Sequence, residues 1–401
     1  MGAGLPARGR SYEVFNVEIV MLTVLSSLYV LSTMLWYNFL SLYLGSFFEV
    51  EEIGLLLSIL TAGGTLSIIL GGLLADSLGR RPAIAIAIIG VAVAAVALGF
   101  SRSFMVLALA ILVFGLCSQS LRTIIRVFVA EKLPEEVRGR GLGVTLTVIA
   151  LVGAIAPTMG GYLINVHGFT FVFGLSAVIA VASLTPLLFV GETASRRKLR
   201  PGVVVEPFRA LISTLGFRSP LLVYYISWCV YSFGTDMVIP YVSLFANTVL
   251  GLSVEEVGFM FTLALILTIP SYYVGGVLAD RLGYGLAFIL SLGLNALLLT
   301  LMAYSSNKAM AITLWALASF IFMAHEAAEV ALLVKLAPPE ARSTAMSALA
   351  TLISLTTIPS PLVGGILWSL IGPRNVYLVM LLLATIALLL LSTITIKDER
   401  S

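Results

Sequence analysis

Charge is scarce in this chain. Only 11% of its 401 residues are Asp, Glu, Lys or Arg, whereas 60% are hydrophobic. A soluble domain needs far more charge on its surface, so that class is excluded. Cysteine is nearly missing: Cys117 and Cys229 each stand inside an apolar run, which excludes a disulfide framework. Histidine is confined to His167 and His325, and Gln119 is the one glutamine. No Ser-His-Asp arrangement, no metal-ligand spacing and no G-x-x-x-x-G-K-[ST] loop occurs, so the chain reads as no enzyme, with no cofactor, no metal and no use of ATP. A net charge of +3 gives no reason to expect nucleic acid as a partner.

What is abundant is apolar sequence in runs of about 20 residues, the length that crosses a bilayer as a helix. The runs predict twelve helices at about 17–44, 53–75, 82–100, 104–131, 138–165, 169–190, 219–248, 255–279, 284–304, 309–335, 342–371 and 374–396. They fall into a six-helix bundle over 1–190, a linker over 191–218 and a second bundle over 219–401. Lysine and arginine are strongly biased. One side collects eighteen, including Arg8, Arg10, Arg80, Arg81, Lys132, Arg138, Arg140, Arg281, Lys335 and Arg342, six in the linker, and Lys397 and Arg400. The other side holds Arg102, Lys308 and Arg374. The positive-inside rule makes both termini and the linker cytoplasmic, in a multi-pass protein of the cell membrane.

The chain also repeats itself. Gly71-Gly72-Leu73-Leu74-Ala75-Asp76-Ser77-Leu78-Gly79 returns as Gly275-Gly276-Val277-Leu278-Ala279-Asp280-Arg281-Leu282-Gly283, a spacing of 280 − 76 = 204. The same spacing relates Val50-Glu51-Glu52-Ile53-Gly54 to Val254-Glu255-Glu256-Val257-Gly258, and Pro157-Thr158-Met159-Gly160-Gly161 to Pro361-Leu362-Val363-Gly364-Gly365. A parallel repeat of this length predicts two six-helix halves related by an axis along the membrane normal.

The stretch from Gly72 through Asp76, Gly79, Arg80 and Arg81 is similar to the G-x-L-A-D-R-x-G-R-R signature of major facilitator superfamily transporters, departing only at Ser77. The resemblance implies an all-α membrane fold of twelve helices in two pseudo-symmetric halves, working by alternating access, as a monomer. It further implies that Asp76 faces the N-terminus of helix 11 and that Arg80 reaches Glu131, a lock on the cytoplasmic side. The second copy keeps Asp280, but Tyr284, Gly285 and Lys335 stand where the first has Arg80, Arg81 and Glu131. Pro157, Gly160 and Gly161, echoed by Pro361, Gly364 and Gly365, partly resemble the G-P-x-x-G-G element of drug-exporting antiporters, with Ala156 in place of the first glycine. Close helix packing is the plainer reading of the same residues.

Ionisable residues far from helix ends mark pathways in a membrane. Arg122 and Arg126 on helix 4, Asp236 on helix 7, and His325, Glu326 and Glu329 on helix 10 meet that test. The resemblance implies that helices 1, 4, 7 and 10 line a central cavity. Since 326 − 122 is again 204, a pair between Arg122 and Glu326 across that cavity is expected. Tyr37, Asn38, Gln119 and Tyr231 complete the candidate solute site, with Trp36, Trp228, Tyr241 and Phe322 as further possible wall residues. Aromatic faces beside carboxylates suit a lipophilic cation, whereas arginines suit a carboxylate or phosphate. The expectation is a proton-coupled secondary transporter of a small organic solute, with efflux of amphipathic compounds favoured. Import of a sugar or organic anion, or a non-transporting receptor, is the alternative.

Overall fold

The structure is a computed structural model that describes residues 16–193 and 220–398, with side chains at all of these except 68–70, 72, 73 and 395–398. Arg8, Arg10, the six basic linker residues, Arg400 and the linker beyond Thr193 lie outside the described residues, as do the surroundings of Gly72 and the side chain of Lys397.

Among the described residues there is no strand, and helix follows helix. The first, α1, runs Val17–Met34, then turns through Tyr37–Phe39 and continues as Leu40–Leu44. Next come α2 (Val50–Leu78), α3 (Arg80–Phe100) and α4 (Phe104–Lys132). The run Arg138–Ala182 is broken at Gly168, where φ is +79°, giving α5 over 138–167 and α6 over 169–182. The second half opens with α7, made of Pro220–Asp236, Ile239–Tyr241 and Val242–Thr248. It continues with α8 (Val254–Leu282), α9 (Tyr284–Ala303) and α10 (Lys308–Ala324 and Glu326–Leu336). It ends with α11 (Arg342–Thr357 and Ser360–Ile371) and α12 (Pro373–Asp398). Eleven described segments are long and apolar enough to cross a membrane; one of them, Glu135–Phe189, is 55 residues long and carries both α5 and α6.

The repeat in sequence becomes a repeat in local structure. Glu49 with Glu52 caps the start of α2, and Ser253 with Glu256 caps α8 in the same reciprocal way. The α2–α3 corner needs a left-handed residue and has Gly79 at φ +102°; the α8–α9 corner has Gly283 at φ +82°. One departure appears in the first helix of each half. The breaks in α1 and α7, at Tyr37–Phe39 and Ile239–Tyr241, are offset by 202 rather than 204, and at the same offset Ser41 meets Ser243 directly, Oγ to Oγ at 2.9 Å. That contact between equivalent residues lies on the pseudo-twofold axis.

The halves meet at the end opposite the Arg80–Arg81 corner. Gly161 approaches Val254 so closely that a Cβ there would lie 2.7 Å from its carbonyl oxygen, and Gly365 stands likewise 2.6 Å from that of Val50. Gly258 and Gly54 complete the two crossings against the Pro157 and Pro361 carbonyls, at 2.4 and 2.9 Å. The other glycine of each pair looks into its own half: Cβ atoms at Gly160 and Gly364 would sit 2.0 Å from Leu35 O and 2.2 Å from Met237 O. Hydrogen bonds from Thr158 to Thr262, Asn165 to Glu255 and the Leu362 amide to Ser58 reinforce this seam. Towards the Arg80–Arg81 end the helices part, and residues along α5 and α8 such as Val144, Val148, Ile269 and Tyr272 become exposed.

Candidate functional site

Between the halves, bounded at one end by the seam, lies a cavity of about 850 Å³. Its walls come from α1, α2 and α4 of the first half and from α7, α8, α9, α10 and α11 of the second. The breaks in α1 and α7 occur beside it, placing Tyr37, Asn38 and Asp236 on the wall. Discontinuous helices of this kind present backbone and polar side chains at membrane depth only where they face a cavity.

Two of the described lining residues carry charge, Arg122 from α4 and Asp236 from α7. No ion pair joins them, and among the described residues neither has a counter-ion within 4.0 Å. Tyr37 lies within electrostatic reach of both. Asp236 also ends the Pro220–Asp236 segment, so the negative end of a helix dipole adds to its carboxylate. Gln119, Tyr37 and Asn38 share the cavity with these two charges. Uncharged polar residues that the sequence reading passed over line it as well: Thr33, Thr61, Thr65, Thr268 and Trp315. Composition gives no signal for them, since a single hydroxyl or indole in an apolar run fits a lipid-facing or a cavity-facing position equally.

The other candidates are placed elsewhere. His325 is 5% exposed, and its Nε2 lies 3.2 Å from a Glu329 oxygen whose partner oxygen accepts from Trp228 Nε1 at 2.9 Å. Tyr231 donates to Asn295 Oδ1 at 2.7 Å. These groups satisfy one another inside the second half. Trp36 likewise turns inward, fully buried and donating to Ser176, and Tyr241 donates to the Pro361 carbonyl at the seam. Phe322 does line the cavity. Arg126 and Glu326 are exposed outside the lining, and Tyr272, which is on it, lies within electrostatic reach of both. The expected Arg122–Glu326 pair is not formed: the halves diverge at that depth, and α10 breaks at His325 just before Glu326.

A separate network occupies the end where the halves part. Arg80 Nη1 bonds Asp76 and Nη2 bonds Glu131, both at 3.1 Å. Glu192, just beyond α6, accepts from the backbone amides of Arg80 and Arg81 at 3.0 and 2.9 Å, capping α3. Thr193 donates to Glu131 at 2.6 Å, and Glu18 accepts from Lys132 and from the Gly191 amide. The start of the linker is thus fastened to the Asp76–Arg80 motif, a role the sequence reading missed. Asp76 itself is largely exposed. Arg281 follows Asp280, which is also exposed, and Tyr284 takes the place of Arg80, so the guanidinium that centres the first network has no counterpart at that position of the second half.

Two helical halves joined at one end around a polar-lined cavity define a membrane carrier. The chain belongs to the Major Facilitator Superfamily, whose family model matches residues 19–234 and 224–401. It is 25% identical over 245 residues to the multidrug resistance protein MdtG of Proteus mirabilis (strain HI4320), a match spanning 59% of this chain and 59% of that protein. Among solved structures, the nucleoside transporter NupG superposes with a TM-score of 0.77 at 14% identity, over 94% of this chain and 100% of that one. A bacterial homolog of the human lysosomal transporter Spinster, inward-facing and unoccupied, gives 0.70 at 15% identity, over 96% and 97%. These likenesses show the fold, and family membership puts the chain among transporters rather than enzymes.

Proposed function

We propose that this protein is a proton-coupled secondary transporter of the cell membrane that exports amphipathic small organic solutes by alternating access. Residues 1–190 and 219–401 are the two rocking bodies, and the basic side, with both termini and the linker, faces the cytoplasm. In that orientation the cavity is open inward and sealed outward. The observation that carries the reading is the pairing of this one-ended cavity with an Asp236 carboxylate that has no counter-ion. A proton and a cationic solute compete for such a group, which is the elementary requirement of exchange. The resemblance to MdtG supports efflux over uptake. Arg122 on the same wall keeps import of an organic anion as the second reading.

The test is flux in proteoliposomes with a lipophilic fluorescent amine as probe. Movement driven by an imposed pH gradient, and lost in Asp236→Asn, is expected. Flux indifferent to the gradient would refute proton coupling. Binding without flux would make the protein a receptor of the same fold.

A further inference from the structure

We propose that the solute of this cavity is a zwitterion, with a cationic group held at Asp236 and a carboxylate or phosphate group held at Arg122. The inference rests on reading the cavity as the solute site, and it narrows the amphipathic class to molecules charged at both ends.

Among the described residues, Asp236 and Arg122 are the charged groups of the lining, one of each sign and one from each half. Without a counter-ion among the described residues, they are complementary to a molecule carrying both charges, because a monocation leaves Arg122 without a partner and a monoanion leaves Asp236 so. The two lie at different depths. Arg122 stands ten residues before the end of α4 at Lys132, and Asp236 stands sixteen residues after the start of α7 at Pro220. At about 1.5 Å per residue, Asp236 sits roughly 9 Å farther from the cytoplasmic end than Arg122. The cationic end therefore points towards the seam and the anionic end towards the mouth.

On the seam side of Asp236, the wall offers donors in search of acceptors. Trp315 is 7% exposed, lines the cavity and has a buried Nε1 with no hydrogen-bond partner; the Asn38 amide nitrogen is likewise buried and unpartnered. A buried N–H without an acceptor is costly, so an oxygen carried near the cationic end of the solute meets a need already present. Tyr37 and Phe322 supply flat apolar surface alongside.

The experiment uses one rigid scaffold, 4′-(aminomethyl)biphenyl-4-carboxylate, with its amine-only, acid-only and uncharged analogues. Binding to the detergent-purified full chain is measured by calorimetry. The zwitterion is expected to bind at least about tenfold more tightly than either singly charged analogue, a difference of about 1.4 kcal/mol. Arg122→Gln brings it level with the amine, Asp236→Asn brings it level with the acid, and Arg122→Lys restores part of the preference. Equal binding of amine and zwitterion overturns the proposal, as does binding of none of the four or a uniform loss across all four in both variants. Zwitterion preference without proton-driven flux would sink the exchange mechanism and leave this site standing. Proton-driven flux of the fluorescent amine with no zwitterion preference would do the reverse.

Discussion

Glu329 shows how depth in a helix and position on a wall part company. Its place on α10, far from either end, marks it as expensive to bury, yet its oxygens are taken up by Trp228 and His325 within the second half. Replacing it by Leu leaves the Trp228 N–H without its acceptor and removes the His325 contact, and a buried donor so stranded costs about 1–3 kcal/mol. Glu329→Leu is therefore expected to lower the detergent melting temperature by several degrees, while Glu329→Gln, which keeps an oxygen for Trp228, costs less. A melting temperature equal to that of the parent protein in both variants would show that this cluster does not stabilise the half. The existence of the charge was legible in the sequence; its orientation was not, because the α10 break at His325 decides which way Glu326 and Glu329 turn. Arg122 and Asp236 were legible as charges deep in apolar runs; that both face the cavity was not, since depth alone does not fix the side of the helix.

At the scale of elements, the glycine pairs divide their labour. Gly160 touches its own half and Gly161 the other. Gly160→Ala puts a Cβ against the Leu35 backbone and is expected to reduce folded yield and melting temperature. Gly161→Ala presses on the Val254 backbone across the seam, disfavouring the state described above without touching either bundle's interior. Labelling of Gln119→Cys, in a background lacking Cys117 and Cys229, reads the difference. An impermeant maleimide applied from the basic side is expected to react severalfold more slowly when Gly161→Ala is added. Loss of fold in both glycine variants, or unchanged labelling, would count against the division. The repeat that places these pairs was visible in the sequence as an offset of 204, and so was the order of twelve helices. The shift to 202 in α1 and α7 was not, since their apolar runs give no landmark until Ser41 is seen against Ser243.

Across the whole molecule, the seam is two-fold symmetric and the opposite end is not. Arg80 draws Asp76, Glu131 and, through the adjoining backbone, Glu192 and Thr193 into one cluster on the first half. The exposed Arg80–Asp76 pair alone contributes little. The capping of α3 by Glu192 is the firmer element, and Glu192→Ala is expected to cost about 1 kcal/mol, read as a fall in melting temperature that Ser77→Ala does not share. An equal effect in both would remove the capping role. The fastening of the linker to this cluster was hidden from the sequence, because a single Glu after an apolar run looks like the first solvated residue of a loop.

The seam has a further consequence for how such a protein changes over generations. At its four closest crossings the chain meets carbonyls, α-carbons and the Tyr241 hydroxyl, with Gly54, Gly161, Gly258 and Gly365 presenting no side chain at all. A joint built from main chain cannot be adjusted by degrees, since almost every mutation at those positions adds bulk where none fits. The cavity residues carry no such burden: Thr33, Thr61, Thr65 and Thr268 can be exchanged without moving the joint. Diversification of what is carried and preservation of how the halves swing are thereby assigned to separate residues, and selection can act on the first while leaving the second alone.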